Sequence, residues 1–317
     1  MLSVLREGLT MKLWSERPPW RSVVKIAAAL LGKNWRHAHA WLPSLTLPAA
    51  DAKGHRAIVY RGKSVGSLLP ATILRERAGA SIFIVGSGPS VNDNDLVTMA
   101  RYSGILLNGA IGLIGQAVAE PLAVAIEDER FVWRHFALVR AHVSLETILL
   151  LSTEVIRAIC EIEPAFLDGR KIILIDNIRK PYRRGLQSSD SLSALPFIVF
   201  DAQREAGLSL DPDKGVFQGG SVAISALQFA MFCEPREIGL LGIDIANADQ
   251  PRFYERAGHV AGSGIVRARN RIVAHFRLAK DICAQRGITI RNHSAVSALV
   301  AEGFGYDDRF AREKDRS

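Results

Sequence analysis

Short runs of consecutive apolar residues recur along most of the chain, each bounded by glycines or polar residues. The clearest runs span residues 81–85, 104–107, 122–126, 171–175, 237–243 and 287–290. Continuous apolar runs are typical of strands that are buried on both faces. Between them, segments such as 222–232 and 266–286 have helical spacing. The alternation predicts an α/β fold, a Rossmann-like and mainly parallel sheet with helices on both faces, preceded by an N-terminal helical arm.

The pattern divides the chain into four segments. Residues 1–45 are predicted to form a basic, Trp-rich amphipathic arm, and residues 46–79 a connector with one or two short strands and a helix that ends at Gly79. Residues 80–308 would form the catalytic domain, and the charged residues 309–317 would be a frayed tail. Neither a secretory signal nor a run of about 18 apolar residues is visible. A cytoplasmic protein is therefore expected.

The arm concentrates the charge of the chain. Residues 1–41 hold seven basic residues against two acids, which places +5 of the net charge of +8 in this segment. Four of the five tryptophans (Trp14, Trp20, Trp35 and Trp41) lie there too. Trp and basic residues around the short apolar stretch 23–31 suit the headgroup region of the inner membrane face. The alternative is a helix with a solvated basic face that packs on the main domain or on a sister subunit of a homo-oligomer. Nucleic acid is not an expected partner, because the rest of the chain is near neutral.

The first strand of the main domain is followed by Gly86, Ser87, Gly88, Pro89 and Ser90. Glycines let the backbone turn sharply and approach a ligand, while Pro and Ser suit the first turn of a helix. The free N–H groups of such a turn attract an anion, for example a phosphate. The sequence matches neither a P-loop nor a dinucleotide fingerprint. A purely structural turn would also explain the glycines.

Other polar residues also follow predicted strands or precede a predicted helix. They are Asn108 after the run 104–107, Glu127 and Asp128 after 122–126, Gly219, Gly220 and Ser221 before 222–232, and Asp244 after 237–243. Parallel sheets bind ligands beyond the carboxyl ends of their strands. An Asn in this place can also simply cap a helix, and the acidic pair could bind a cation, hydrogen-bond a ribose or cap a helix. Two glycine-plus-hydroxyl helix starts predict a phosphate-bearing ligand held from both sides.

These segments, in this order, resemble the family 42 glycosyltransferases, the bacterial sialyltransferases that use CMP-activated sugars. The resemblance covers about residues 80–305 and includes residues 292–299 near the end. The same skeleton is similar to 6-hydroxymethylpterin diphosphokinase-like proteins. The resemblance implies roles for the following residues: Gly88, Ser90 and Asn108 on the cytidine nucleotide, Gly220 and Ser221 on its ribose and phosphate, Tyr254 on the leaving phosphate, and His259 as general base.

The implied chemistry agrees with these residue types. An inverting transfer needs a base that titrates near neutrality, which suits His259. The departing CMP needs hydrogen-bond donors, which Tyr254 and the helix N-termini would supply. One departure from the sialyltransferases is the third strand end, where they carry an Asn and this chain has Glu127 and Asp128. An acidic pair is closer to the kinase-like relatives, in which acids hold a metal.

The expected function is therefore a glycosyltransferase that moves an acidic sugar, such as sialic acid or Kdo, from a CMP donor to a cell-surface glycan or glycolipid. Such an enzyme would serve lipopolysaccharide or capsule biosynthesis, peripherally at the inner membrane face. No cofactor is expected to be required. Mg²⁺ is the metal that Glu127 and Asp128 could bind if they act as a cation site. Two alternatives remain: an ATP- and Mg²⁺-dependent diphosphokinase-like enzyme acting on a small heterocycle, and a non-catalytic nucleotide-binding protein.

Overall fold

The computed structural model describes residues 17–245 and 265–312, and their centre is one large sheet. Its ten strands are β1 (Leu45–Thr46), β2 (Arg56–Tyr60), β3 (Lys63–Leu68), β4 (Ser81–Val85), β5 (Gly104–Leu107), β6 (Ala123–Ile126), β7 (Ile148–Ser152), β8 (Ile172–Ile175), β11 (Glu237–Leu241) and β12 (Thr289–Asn292). A separate antiparallel pair consists of β9 (Ile198–Asp201) and β10 (Ala206–Ser209).

The strand order is β1-β2-β3-β8-β7-β6-β5-β4-β11-β12. All neighbours from β3 to β12 in this order pair in parallel, whereas β1, β2 and β3 pair antiparallel. The predicted mainly parallel sheet is confirmed. Because the parallel strands share one direction, the polar residues that follow them are brought to one edge of the sheet.

Helices cover both faces of the sheet, as predicted. They are α1 (Pro19–Ala29), α2 (Thr72–Arg77), α3 (Glu129–His142), α4 (Thr153–Ile162), α5 (Ser189–Ser193), α6 (Val222–Phe232) and α7 (Ile265–Gln285). Along β4, Ile82 and Ile84 belong to the core that includes α6 and α7, whereas Phe83 and Val85 belong to the core that includes α3 and α4. This alternation is the period of two that a strand imposes on its side chains.

The structure adds the central strand β7, which was not among the predicted strands. Its apolar residues run directly into the amphipathic helix α4, with Ser152 as the junction. The Ser152 hydroxyl accepts a hydrogen bond from the Val155 N–H at 3.2 Å and so caps α4. A short apolar run that joins a helix cannot be recognised as a strand from periodicity alone.

Residues 309–312 are packed on the main domain, unlike the fraying expected of the tail. Phe310 is buried, and its carbonyl oxygen accepts a hydrogen bond from the Asp95 N–H at 2.6 Å. The Arg312 N–H donates to the Asp93 carbonyl oxygen at 3.0 Å.

The arm helix α1 packs on the main domain through its basic side. Arg21 is fully buried and donates to the Leu42 carbonyl oxygen at 2.7 Å. Arg17 Nε lies 2.6 Å from Glu129 Oε1, and Lys25 Nζ lies 3.8 Å from the same oxygen. Arg17, Arg21 and Lys25 are thus turned inward onto a buried carboxylate, whereas the alternative of a packed arm had expected its basic face to be solvated. Binding of the arm to a membrane stays a prediction. No helix among the described residues is long and apolar enough to cross a bilayer.

Candidate active site

A cavity of about 930 Å³ lies at the carboxyl ends of the parallel strands. Its walls include residues that follow β5, β6 and β8, together with the segment before α6 and one side of α7. Of the residues predicted from the sequence, it brings together Asn108, Glu127, Asp128, Gly219, Gly220 and Ser221.

The N-terminus of α6 opens into this cavity. Gly219 and Gly220 have φ angles of 56° and 99°, and the Ser221 hydroxyl caps the helix by accepting from the Ala223 N–H at 3.3 Å. A Cβ on Gly220 would lie 2.8 Å from Arg271 Nη2, so glycine is required there for both conformation and space. Within the described residues, the N–H groups of Gly219, Gly220 and Val222 have no hydrogen-bond partner. They are available to an anion.

Besides Arg130, which pairs with Asp128, three cationic side chains line the cavity together with this helix start. Arg179 and Lys180 follow β8, and Arg271 lies on α7, where its Nε donates to the Gly219 carbonyl oxygen at 3.2 Å. The Arg179 guanidinium carbon lies 5.7 Å and 5.5 Å from the ring centroids of Phe200 and Phe217. Arginine and a helix N-terminus both favour phosphate oxygens. The sequence analysis missed these cations because they lie in an irregular segment and on a long polar helix face.

Glu127 lines the same cavity and follows the last residue of β6. Its Oε1 accepts a hydrogen bond from the Ser225 hydroxyl of α6, and Gln218 also hydrogen-bonds its carboxylate. Burial is the largest cause of a raised pKa, and the neighbouring Asp128 charge adds to it, so that the pKa of Glu127 reaches about 7. A carboxylate with this pKa can accept a proton near neutral pH.

Asp128 is held in a different way. Its carboxylate caps α3 by accepting from the Arg130 N–H at 2.9 Å, and it pairs with the Arg130 guanidinium, with Nε 2.8 Å from Oδ2. Burial alone would raise the pKa of Asp128, but the hydrogen bonds from Arg130 outweigh it and lower that pKa. The sequence left three roles open for the acidic pair: cation binding, hydrogen bonding to a ribose, and helix capping. Asp128 caps the helix α3.

Asn108 is conformationally unusual among the cavity residues. Its φ angle is 47°, in the left-handed region, and its Oδ1 is buried without a hydrogen-bond partner among the described residues. Non-glycine residues with this backbone conformation and unpaired buried acceptors are both uncommon, and both concentrate at functional sites.

A second cavity of about 330 Å³ adjoins the first. The two share Glu127, Asp128, Arg130, Asn177, Lys180 and Gln218. The smaller cavity adds His39, Glu154 and Asp176. Burial and the charge of Lys25 lower the pKa of His39 to about 4, and burial raises the pKa of Asp176 to about 6. The smaller cavity is thus a polar space in which the His39 imidazole is neutral at pH 7.

The glycine turn after β4 and Asp244 do not line either cavity; they bind each other. The N–H of Ser90 donates to Asp244 Oδ2 at 2.8 Å, and the hydroxyl of Ser90 donates to Oδ1. Ser294 donates to the same Oδ1 at 2.8 Å. A Cβ on Gly88 would lie 2.5 Å from Asp244 Oδ2, which explains that glycine by close packing. The Asp244 carboxylate occupies the position at which a phosphate was expected. A ligand role for residues 86–90 and for Asp244 stays a prediction.

Tyr254 and His259 lie outside the described residues. Among the described residues, the one group of three side chains with metal-ligand spacing is Glu237, His293 and Asp307, which lines neither cavity. Its two carboxylates already bind Arg309, whose Nη2 lies 2.6 Å from Glu237 Oε1 and 3.0 Å from Asp307 Oδ2.

No family model matches the sequence, and no curated protein is detectably similar to it. Among solved structures, the chain is similar to the sialyltransferase CstII from Campylobacter jejuni in complex with the substrate analogue CMP-3FNeuAc. The identity is 11%, the alignment covers 74% of this chain and 88% of that chain, and the TM-score is 0.38. Monomeric CstII matches at 10% identity, with coverages of 73% and 88% and a TM-score of 0.36.

Proposed function

We propose that this protein is a glycosyltransferase that moves an acidic sugar, such as sialic acid or Kdo, from a CMP donor to a glycan or glycolipid. The observation that carries the proposal is the start of α6, where the N–H groups of Gly219, Gly220 and Val222 have no hydrogen-bond partner among the described residues. These residues line the large cavity together with Arg179, Lys180 and Arg271. A helix N-terminus and arginine side chains together favour a phosphate that bears negative charge.

The dimensions and lining of the large cavity fit a nucleotide sugar. Its volume of about 930 Å³ leaves room for a base and a sugar on either side of the phosphate. Phe200 and Phe217 lie in its wall, and aromatic side chains are common partners for nucleobases.

Glu127 is the general base that the described site supplies. It belongs to the walls of both cavities, so a donor in the larger cavity and an acceptor hydroxyl in the smaller one would meet beside its carboxylate. The acceptor oxygen attacks the anomeric carbon of the sugar as its proton passes to Glu127. The bond between that carbon and the phosphate oxygen breaks, and its electron pair leaves with CMP. The developing charge is met by the α6 N–H groups and by Arg271.

Nucleotide binding tests the proposal. We expect CMP without metal to raise the melting temperature of the full chain, by an amount equivalent to about 2.7 kcal/mol at a hundredfold excess over its dissociation constant. Arg271→Gln removes a charged hydrogen-bond donor from the phosphate site and should weaken CMP binding by about tenfold to a hundredfold.

Arg269→Gln is the matched control, because Arg269 lies exposed on the same helix and lines neither cavity. It should bind CMP like the unmodified protein. Stabilisation by ATP with Mg²⁺ and not by CMP would instead support the diphosphokinase-like alternative. No stabilisation by any nucleotide would refute the proposal.

A further inference from the structure

The arm helix α1 and the turn after it present large apolar side chains to solvent. Val23 and Ile26 are each 66% exposed, Leu30 is 84% exposed, and Leu31 is 55% exposed. Val23, Ile26 and Leu30 recur at helical spacing and share one face. Soluble surfaces rarely carry a contiguous apolar patch of this kind unless it contacts something.

The opposite face of α1 is fixed to the main domain, so the helix cannot simply turn over. Arg21 and Glu129 are fully buried, and Arg21 Nε lies 3.6 Å from Glu129 Oε2. The Arg157 guanidinium, also fully buried, pairs with the same oxygen. Rotating α1 to bury its apolar face would break the contact with Glu129 and leave buried charges uncompensated, which is costly. The helix is therefore held with its charged side inward and its apolar side outward, the reverse of an ordinary surface helix.

We propose that this apolar face docks onto the surface of an anionic lipid bilayer. Trp20 and Trp35, at either end of the apolar stretch, are 39% and 42% exposed. Lys33 and Arg36 are exposed beside Trp35. Apolar residues that enter the acyl boundary, with Trp and basic side chains at headgroup level, are the pattern of an in-plane interfacial helix.

Charge favours a lipid surface over a second copy of this chain. Residues 17–41 contain no Asp or Glu, so the same segment of another copy could not offer a carboxylate to Lys33 or Arg36. In a two-fold dimer built on this face, like charges would approach one another. Anionic headgroups supply the missing negative charge.

The docking face is connected to the candidate active site. Four residues separate the apolar stretch 23–31 from the 3₁₀ helix Arg36–Ala40, whose His37 and His39 line the smaller cavity. Glu129, which holds α1, follows Glu127 and Asp128 in the chain. If the proposed transferase function holds, the acceptor that enters the smaller cavity is a lipid-linked glycan. The membrane contact itself does not depend on that function.

Vesicle sedimentation of the full-length chain tests the docking face. We expect the protein to sediment with vesicles of phosphatidylglycerol and phosphatidylcholine, and less with phosphatidylcholine alone. The double variant Ile26→Glu with Leu30→Glu should weaken partitioning into vesicles by about tenfold or more. The two apolar side chains that would enter the bilayer are replaced by charged ones. It should still bind CMP, which separates this result from a failure of the proposed function.

The matched control is Val97→Glu with Leu145→Glu, which changes two apolar side chains of 72% and 56% exposure on other elements. It should sediment like the unmodified protein, and circular dichroism should show both double variants folded. The proposal is overturned if the unmodified protein stays in the supernatant or if both double variants sediment equally. A dimer that the Ile26→Glu and Leu30→Glu variant dissociates, with no vesicle binding, would assign the face to a second copy.

Discussion

Glu127→Gln is expected to lower the rate of sugar transfer by about 10²–10⁴-fold while leaving donor binding nearly unchanged, because it removes a positioned general base. The rate of the proposed transfer by the unmodified protein should increase as pH rises through about 7, since burial raises the pKa of Glu127 to that value and only the ionised carboxylate accepts a proton. This limb of the pH–rate profile should be lost in the variant.

Glu163→Gln, at a partly exposed residue paired with the exposed Arg140, is the control and should keep both the rate and its pH dependence. The folded protein binds the Glu127 proton more tightly than the unfolded chain, whose pKa is near 4.5, so this residue lowers stability as pH rises from about 4.5 to about 7. Glu127→Gln should therefore melt at a higher temperature than the unmodified protein at pH 8.

If the rise of the transfer rate with pH survives in Glu127→Gln and disappears in His259→Ala, His259 is the base.

Glu129→Gln is expected to destabilise the protein by about 3–5 kcal/mol, the usual cost of removing one partner from a buried ion pair. Arg21 and Arg157 are both fully buried around this carboxylate, and neither can reach water when it becomes neutral. Denaturant unfolding measures the loss, and proteolysis near residues 17–41 should become faster because α1 loses its anchor.

Glu120→Gln provides the contrast, because it breaks the pair with Arg101 at the surface, where solvent screens the charges. It should leave the unfolding midpoint unchanged. A Glu129→Gln variant as stable as Glu120→Gln would show that the buried cluster contributes little to stability.

The sheet could be predicted because its strands β4, β5 and β6 are buried on both faces and their sequences are continuously apolar. Their ends could be predicted to meet, since parallel strands share one edge. Asn108, Glu127 and the segment 219–221 accordingly line one cavity. The strand β7 escaped prediction, because its apolar run joins the helix α4 and has no period of its own.

Other parts of the site depend on contacts that no local pattern reveals. Asp244 lies 154 residues from Ser90, and its carboxylate takes up the N–H and hydroxyl that seemed free for a phosphate. The raised pKa of Glu127 comes from burial by elements distant in the chain. One signal was visible: Arg17, Arg21 and Lys25 recur every four residues and so share a face, but their partner Glu129 lies more than a hundred residues away.

The release of CMP from CMP-sialic acid or CMP-Kdo, measured in the presence of a metal chelator, tests the central claim most directly. We expect CMP release above the spontaneous rate, lowered in Glu127→Gln and in Arg271→Gln and unchanged in Arg269→Gln. No CMP release from either donor, together with AMP formation from ATP that requires Mg²⁺, would contradict it.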